Sequence, residues 1–227
     1  MENHFETGLT ALRQKILLMA SRAEAAVNES VQALVQRDYD LALRVREDDN
    51  IIDRFEVEID EMAIVLLTKA PLASNLRLIT VAMKVSQNLE RIGDEATKIA
   101  KRARDLAQEP PVKVNLDVNR MASLSLAMVK DALDAFVHRD PTAARAIIPR
   151  DKEVDALNKQ IHQQLAEHMM ANPDTIARCL HWIVASKSLE RIADHAKNIA
   201  EEVVYLYEAQ DIRHTAAKNP PVPPPAA

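Results

Sequence analysis

Residues 89–100 read LERIGDEATKIA, and a hundred positions later residues 189–200 read LERIADHAKNIA. A chain of 227 residues that writes one segment twice at this distance must build two similar units. The duplication runs further. Arg37-Asp38 matches Arg139-Asp140, Asp49 matches Asp151 and Asp53 matches Asp155, all at an offset of 102, while Glu90 and Asp94 match Glu190 and Asp194 at 100. Such a period is longer than that of solenoid repeats, so the pattern is two copies of one multi-helix unit rather than an array.

The units are helical. Gly8 and Gly93 are the only glycines, and aromatic residues make up 3% of the chain, whereas 48% is hydrophobic and supplied mostly by Ala, Leu, Ile, Val and Met. That composition suits long helices and is poor in the turns a β-protein needs. Leu9, Leu12, Ile16, Met19 and Ala23 step by three and four, as do Leu89, Ile92, Ala96, Ile99 and Ala103, which is the spacing of a bundle seam. A proline inside a helix costs about 3 kcal/mol, so Pro71, Pro110, Pro111, Pro141 and Pro173 mark helix ends or starts. Six helices are predicted over 5–36, 38–69, 74–107, 115–138, 141–171 and 173–209. Asp140 before Pro141 and Asn172 before Pro173 form N-cap and first-turn pairs. Pro149 falls inside the fifth segment and should kink it or delay its regular start. Short connections favour antiparallel neighbours. The expected fold is all-α, with one antiparallel three-helix bundle over 5–108, a second over 115–210, and a disordered, Pro-rich C-terminal tail over 211–227 ending in NPPVPPPAA. Met19, Met62, Met83, Met121 and Met128 fall in apolar registers and are expected to fill gaps in the cores, and Trp182 is expected there too.

Several function classes are disfavoured. The formal charge is -5 with a pI near 5.8, and basic residues are interleaved with acidic ones, so no field draws the chain to nucleic acid. Cys179 is the lone cysteine, which fits a reduced, cytoplasmic setting. The start, MENHFETGLTALRQK, lacks an export signal, and no apolar run approaches the roughly 20 residues of a membrane span. Docking on a membrane complex stays open. Glycine-rich phosphate cradles are absent. A di-iron ferritin-like oxidase needs Glu-x-x-His pairs aimed into its core, and the chain contains none.

Four pairs share one form, an acid, three residues, then Asp: Asp49 with Asp53, Glu90 with Asp94, Asp151 with Asp155, and Glu190 with Asp194. Like charges four apart on a helix destabilise it by a few tenths of a kcal/mol. For any one pair a solvated helix face is the ordinary reading. At roughly 100° per residue each pair lies well off its apolar seam and is expected to face outwards. Their placement along the chain matters more. The point midway between the first two pairs falls at Pro71 and Leu72, and that between the second two falls between Asn172 and Pro173, both expected turns. Residues equidistant from a hairpin turn sit at one height, so each unit should set two acidic pairs side by side. Clustered carboxylate oxygens favour hard or borderline cations such as calcium, magnesium, manganese, iron or zinc. Glu56 and Asp60 continue the first stripe, and Asn158, His162, Asn198 and Glu201 stand near the second; these are candidate further ligands. Lys98 lies one turn past Asp94, where a helix ion pair would weaken the first cluster. His195 is about a quarter-turn from Asp194 and is expected at a surface or interface rather than on a metal. A purely structural scaffold is the competing reading.

With KAPLASNLRLI, HRDPTAARAIIPRDKEVD, SLERIADHAKNIAEEVVYL and QDIRH, the chain from about Phe5 to His214 resembles the PhoU family of bacterial phosphate-signalling regulators. The resemblance implies two repeated three-helix bundles, often a homodimer, whose Glu-or-Asp, three residues, Asp motifs hold iron or zinc clusters in some members. Carried over by position, those motifs are the four acidic pairs. It also implies a non-catalytic, cytoplasmic negative regulator of phosphate uptake and phosphate-starvation gene expression. Its expected partners are the ATPase subunit of the phosphate ABC transporter and a membrane sensor histidine kinase. Ala193 departs from the family's usual glycine, Glu95 stands where the second copy has His195, and the Pro-rich tail lies outside the pattern.

Overall fold

The computed structural model describes residues 2–70 and 72–213, and the described residues form helices and no strands. The chain runs α1 (Glu2–Gln36), α2 (Tyr39–Glu47), α3 (Asp49–Leu67), α4 (Ala73–Ala107), α5 (Val118–His138), α6 (Pro141–Ile147), α7 (Asp151–Ala171) and α8 (Ile176–Glu208), with single 3₁₀ turns at Ile148–Arg150 and Pro173–Thr175. Each predicted fold-back rod is present, but two are broken. The second divides at Asp48 and the fifth at the 3₁₀ turn that holds Pro149. These breaks are equivalent in the repeat. Pro149 is responsible in one copy, as expected; in the other the run Glu47-Asp48-Asp49-Asn50 supplies side chains that compete for backbone groups and favour helix ends.

The matched Arg-Asp dipeptides explain themselves at the turns. Arg37 and Arg139 both adopt left-handed backbone, with φ of 59° in each. Asp38 N–H donates to Ala33 O and Asp140 N–H to Ala135 O, each at 3.0 Å, closing the preceding helix. The same aspartates then open the next one: Asp38 accepts from Leu41 N–H, and Asp140 from Thr142 and Ala143 N–H. Asn172 does not act this way. Its side chain donates back to His168 O at 3.1 Å, and α8 starts only after the 3₁₀ turn, so Asn172 closes α7 instead of opening α8. The fourth helix begins at Val118 rather than 115, after an extended link from Pro110.

α4 packs against α1, α2 and α3, and α8 against α5, α6 and α7; α4 and α8 also lie along each other. All ten of the predicted seam residues on α1 and α4 are buried, as are Met121, Met128 and Cys179. Met62, Met83 and Trp182 are only partly buried against that core. The two central helices run antiparallel. Down α4 and up α8 the contacts are Arg77 to Leu206 O, Lys84 to Glu202, Asn88 to His195, Glu95 to Arg191 and Arg102 to His181. The two repeated blocks therefore meet at the middle of this crossing, about an approximate two-fold axis. At its end, the described part of the expected tail is held down: Arg213 donates to Asp211 Oδ2 at 2.7 Å and to Glu202 Oε1 at 3.2 Å. The remainder, 214–227, lies outside the described residues. No helix among those described is long and apolar enough to cross a membrane.

Candidate functional site

The hairpin geometry brings the acidic pairs together in both units. In the first, Asp49 begins α3 and accepts a hydrogen bond from Thr97 on α4, with Asp53 and Asp94 close enough to repel it. Glu90 and Glu56 feel each other and share Asp53 and Asp94 as neighbours; Glu56 is also next to Asp60. In the second unit Asp194 on α8 is repelled by Asp151, Glu190 and Asp155. Asp49 thus stands level with Asp94, and Asp151 with Asp194, as equal distance from the turns requires.

The clusters do not sit on an open outer wall. Asp151 and Glu190 are buried, at 7% and 8% exposure, Asp49, Glu90, Asp94, Asp155 and Asp194 are half-buried, and Asp53 is exposed. A side chain a quarter-turn off the seam lies at the lip of the groove between two packed helices, where the neighbouring rod covers it. Gly93 marks how near the rods come. A Cβ there would lie 2.8 Å from Ile52 Cδ1 and 3.7 Å from Asp49 Oδ1.

Partial burial has electrostatic consequences. Burial, followed by carboxylate repulsion, pushes the Glu56, Glu90 and Asp194 carboxyls above their usual range; burial does the same for Asp49, against the Thr97 hydrogen bond. Cations built into the helices relieve part of this strain. Arg91 pairs with Glu90 at 3.3 Å and Asp94 at 3.5 Å. Lys197 donates to Asp151 Oδ2 at 2.8 Å and lies 3.9 Å from Asp194, and Lys187 pairs with Glu190. Asp151 in turn holds the Lys197 ammonium above its ordinary value. Relief is incomplete. Asp151 Oδ1 is buried with no hydrogen-bond partner among the described residues, and Glu190 Oε2 has the Lys187 ammonium at 2.5 Å.

The outlying candidates divide. Glu56 and Asp60 join the first cluster. Asn158 accepts from Ser186 Oγ at 2.9 Å, and His162 Nε2 meets the same hydroxyl at 3.1 Å, so both are engaged with α8 one turn above Glu190. Asn198 reaches Asn88 across the α4–α8 crossing at 3.4 Å, and Glu201 lies near Lys197 and Arg213. Lys98 pairs with Glu95 at 2.8 Å rather than with Asp94, which Arg91 takes. His195 sits half-buried at the crossing, its Nδ1 3.0 Å from Asn88 Oδ1, and burial lowers its pKa. Sequence reasoning missed Arg91, Lys187 and Lys197 as counter-cations, although their spacing of one or three from the acids was a readable signal.

The donor set is carboxylate oxygen throughout, and one of those oxygens, Asp151 Oδ1, is buried without a hydrogen-bond partner among the described residues, which suits a hard or borderline cation. Among the described residues, no three His, Cys, Asp or Glu side chains converge on a single point as they stand. Binding would therefore draw carboxylates inward and displace Lys197 or Arg91.

A family model described as "PhoU domain" matches the chain twice, over 16–103 and 118–203. The "Phosphate-specific transport system accessory protein PhoU homolog" of Pseudomonas putida is 41% identical over 221 residues, which is 96% of this chain and 86% of that protein. The "Phosphate-specific transport system accessory protein PhoU" of Escherichia coli K12 is 35% identical over 217 residues, 94% and 89% of the two chains. The crystal structure of PhoU from Pseudomonas aeruginosa superposes with a TM-score of 0.88 at 41% identity, covering 91% of this chain and 100% of that one. By family model, by relatives and by fold, the chain belongs to the PhoU family.

Proposed function

We propose that this protein is a cytoplasmic accessory protein of a phosphate-specific transport system and acts as a negative regulator through protein–protein contact, without catalysis. The observation that carries the reading is the match to PhoU relatives over nearly the whole chain. Its partners are the ATPase subunit of the phosphate ABC transporter and a sensor histidine kinase, and it works as a homodimer. The two acidic clusters hold metal ions that shape the docking face. Asp151, Asp155, Glu190 and Asp194 would hold one, and Asp49, Asp53, Glu90 and Asp94 the other. The ion would neutralise charge that Lys197 and Arg91 relieve only in part.

The test is co-purification of the tagged protein from phosphate-replete cells with elemental analysis of the same fraction. Both partners and stoichiometric iron, zinc, manganese, calcium or magnesium are expected, with metal lost in Glu190→Gln/Asp194→Asn. Recovery of neither partner overturns the regulatory reading. Metal-free protein whose melting ignores every added cation overturns the metal part alone.

A further inference from the structure

The two acidic clusters are copies of one pattern, yet they do not offer the same charge. In the α3–α4 cluster Asp49, Asp53, Glu56, Asp60, Glu90 and Asp94 are answered by Arg91. In the α7–α8 cluster the places of Glu56 and Asp60 are taken by Asn158 and His162, both engaged with Ser186. The places of the neutral Gln87 and Thr97 are taken by Lys187 and Lys197. Each of these four exchanges lowers the pull of the second cluster on a cation. Six carboxylates face one cation in the first copy, whereas four, or five with Glu201 beside Lys197, share two in the second.

Lys197 differs from a surface counter-ion in where it sits. Its Nζ lies 2.8 Å from Asp151 Oδ2 on α7 and 3.9 Å from Asp194 Oδ1 on α8, so the ammonium bridges the two helices. Its side chain is 30% exposed, against 54% for Arg91, which pairs with Glu90 and Asp94 of its own helix. At the matched place in the first copy Thr97 offers Asp49 a neutral hydroxyl. The cleft of about 350 Å³ that opens on Asp151 is lined by Arg145, Lys152 and Lys197 and by no second carboxylate. A divalent ion entering there meets the repulsion of an ammonium already in place, in a groove where water screens poorly. Asp151 Oδ1 is left without a hydrogen-bond partner among the described residues, so the cluster keeps an oxygen for an ion once Lys197 moves aside. We infer that the Lys197 ammonium stands in for a metal ion in the α7–α8 cluster, so that the α3–α4 cluster takes a divalent cation first and the α7–α8 cluster takes one only with Lys197 displaced.

This inference rests on the metal part of the functional reading, and the test separates the two. The chelator-stripped full chain is titrated with manganese(II) in equilibrium dialysis, with bound and free ion read by electron paramagnetic resonance. Two classes of site are expected, the second at least about tenfold weaker, as one unit charge within a few ångströms requires. Glu90→Gln/Asp94→Asn should remove the tighter class and Glu190→Gln/Asp194→Asn the weaker. Lys197→Thr should tighten the weaker class at least about tenfold and leave the other unchanged, while Lys197→Arg, which keeps the charge, should leave it weak. Thr97→Lys should weaken the tighter class, and it carries the test if Lys197→Thr melts early. Two classes of equal affinity in the unmodified chain overturn the inference but not metal binding, as do affinities indifferent to both reciprocal substitutions or an equal gain from Lys197→Arg. Manganese bound by neither the unmodified chain nor Lys197→Thr at millimolar concentration overturns the metal reading, and the inference with it.

Discussion

A carboxylate set beside other carboxylates in a groove weakens the fold that holds it, and Asp194 makes the size of this effect measurable. Burial first, and then Asp151 and Glu190, raise its pKa above the ordinary 3.8, against Lys197. A folded-state value above the unfolded one means that the unfolded chain gives up this proton first as pH rises. The group is neutral to stability below 3.8, and its penalty is complete above the raised folded value. Asp194→Asn is therefore expected to stabilise the metal-free protein at pH 7. The gain is roughly a few tenths of a kcal/mol, small because the side chain is 46% exposed and screened. It should vanish near pH 3. Urea unfolding in chelator at both pH values checks this, and an equal gain at both contradicts the assignment. The existence of the carboxylate clusters was legible in the spacing of four acids about each turn. Their burial was not, because a period calculated for one helix carries no information on how closely its neighbour leans over it.

At the scale of helices, the close passage of α3 over α4 is written differently in the two copies. Ile52 faces Gly93 in the first, where an added Cβ would crowd Ile52 Cδ1; the equivalent residues in the second are Val154 and Ala193. One methyl on the first helix is exchanged for one on the second. Alanine is the better helix former by about 1 kcal/mol, yet Gly93→Ala is expected to lower stability by about 1 kcal/mol because the buried Ile52 has little room to move. Adding Ile52→Val, which reproduces the second copy, should recover most of the loss. A double-mutant cycle read by denaturant unfolding measures the coupling, and simple additivity would show that the two positions do not share one space. The same scale explains what composition and period could not reveal. The seam inside each unit is Leu, Ile, Val and Ala at steps of three and four and was readable. The face of α4 that meets α8 includes Lys84, Asn88, Glu95 and Arg102, which by residue type alone pass for a solvated surface. Pairing across the crossing buries Glu95 and half-buries Lys84, Asn88 and Arg102.

For the whole molecule, that crossing joins the two three-helix units. Glu202, at 5% exposure, takes Lys84 from the other unit, and Glu95 takes Arg191. Residues 2–108 and 115–213 produced as separate polypeptides should each lose the cover of the other's central helix, unfold at lower denaturant than the intact chain, and regain stability when mixed. Guanidinium unfolding of each piece and of the mixture measures this. Pieces as stable alone as together would make the crossing a passive contact.

The duplicated block meeting its own copy halfway along the central helices has one more consequence. A polypeptide with a single copy would carry the same bare helix and would need a second molecule to cover it, at a strength that rises and falls with expression level. Here the covering copy is tethered and always present at an effective concentration on the order of millimolar, so the join between the halves is insensitive to how much of the protein a cell makes.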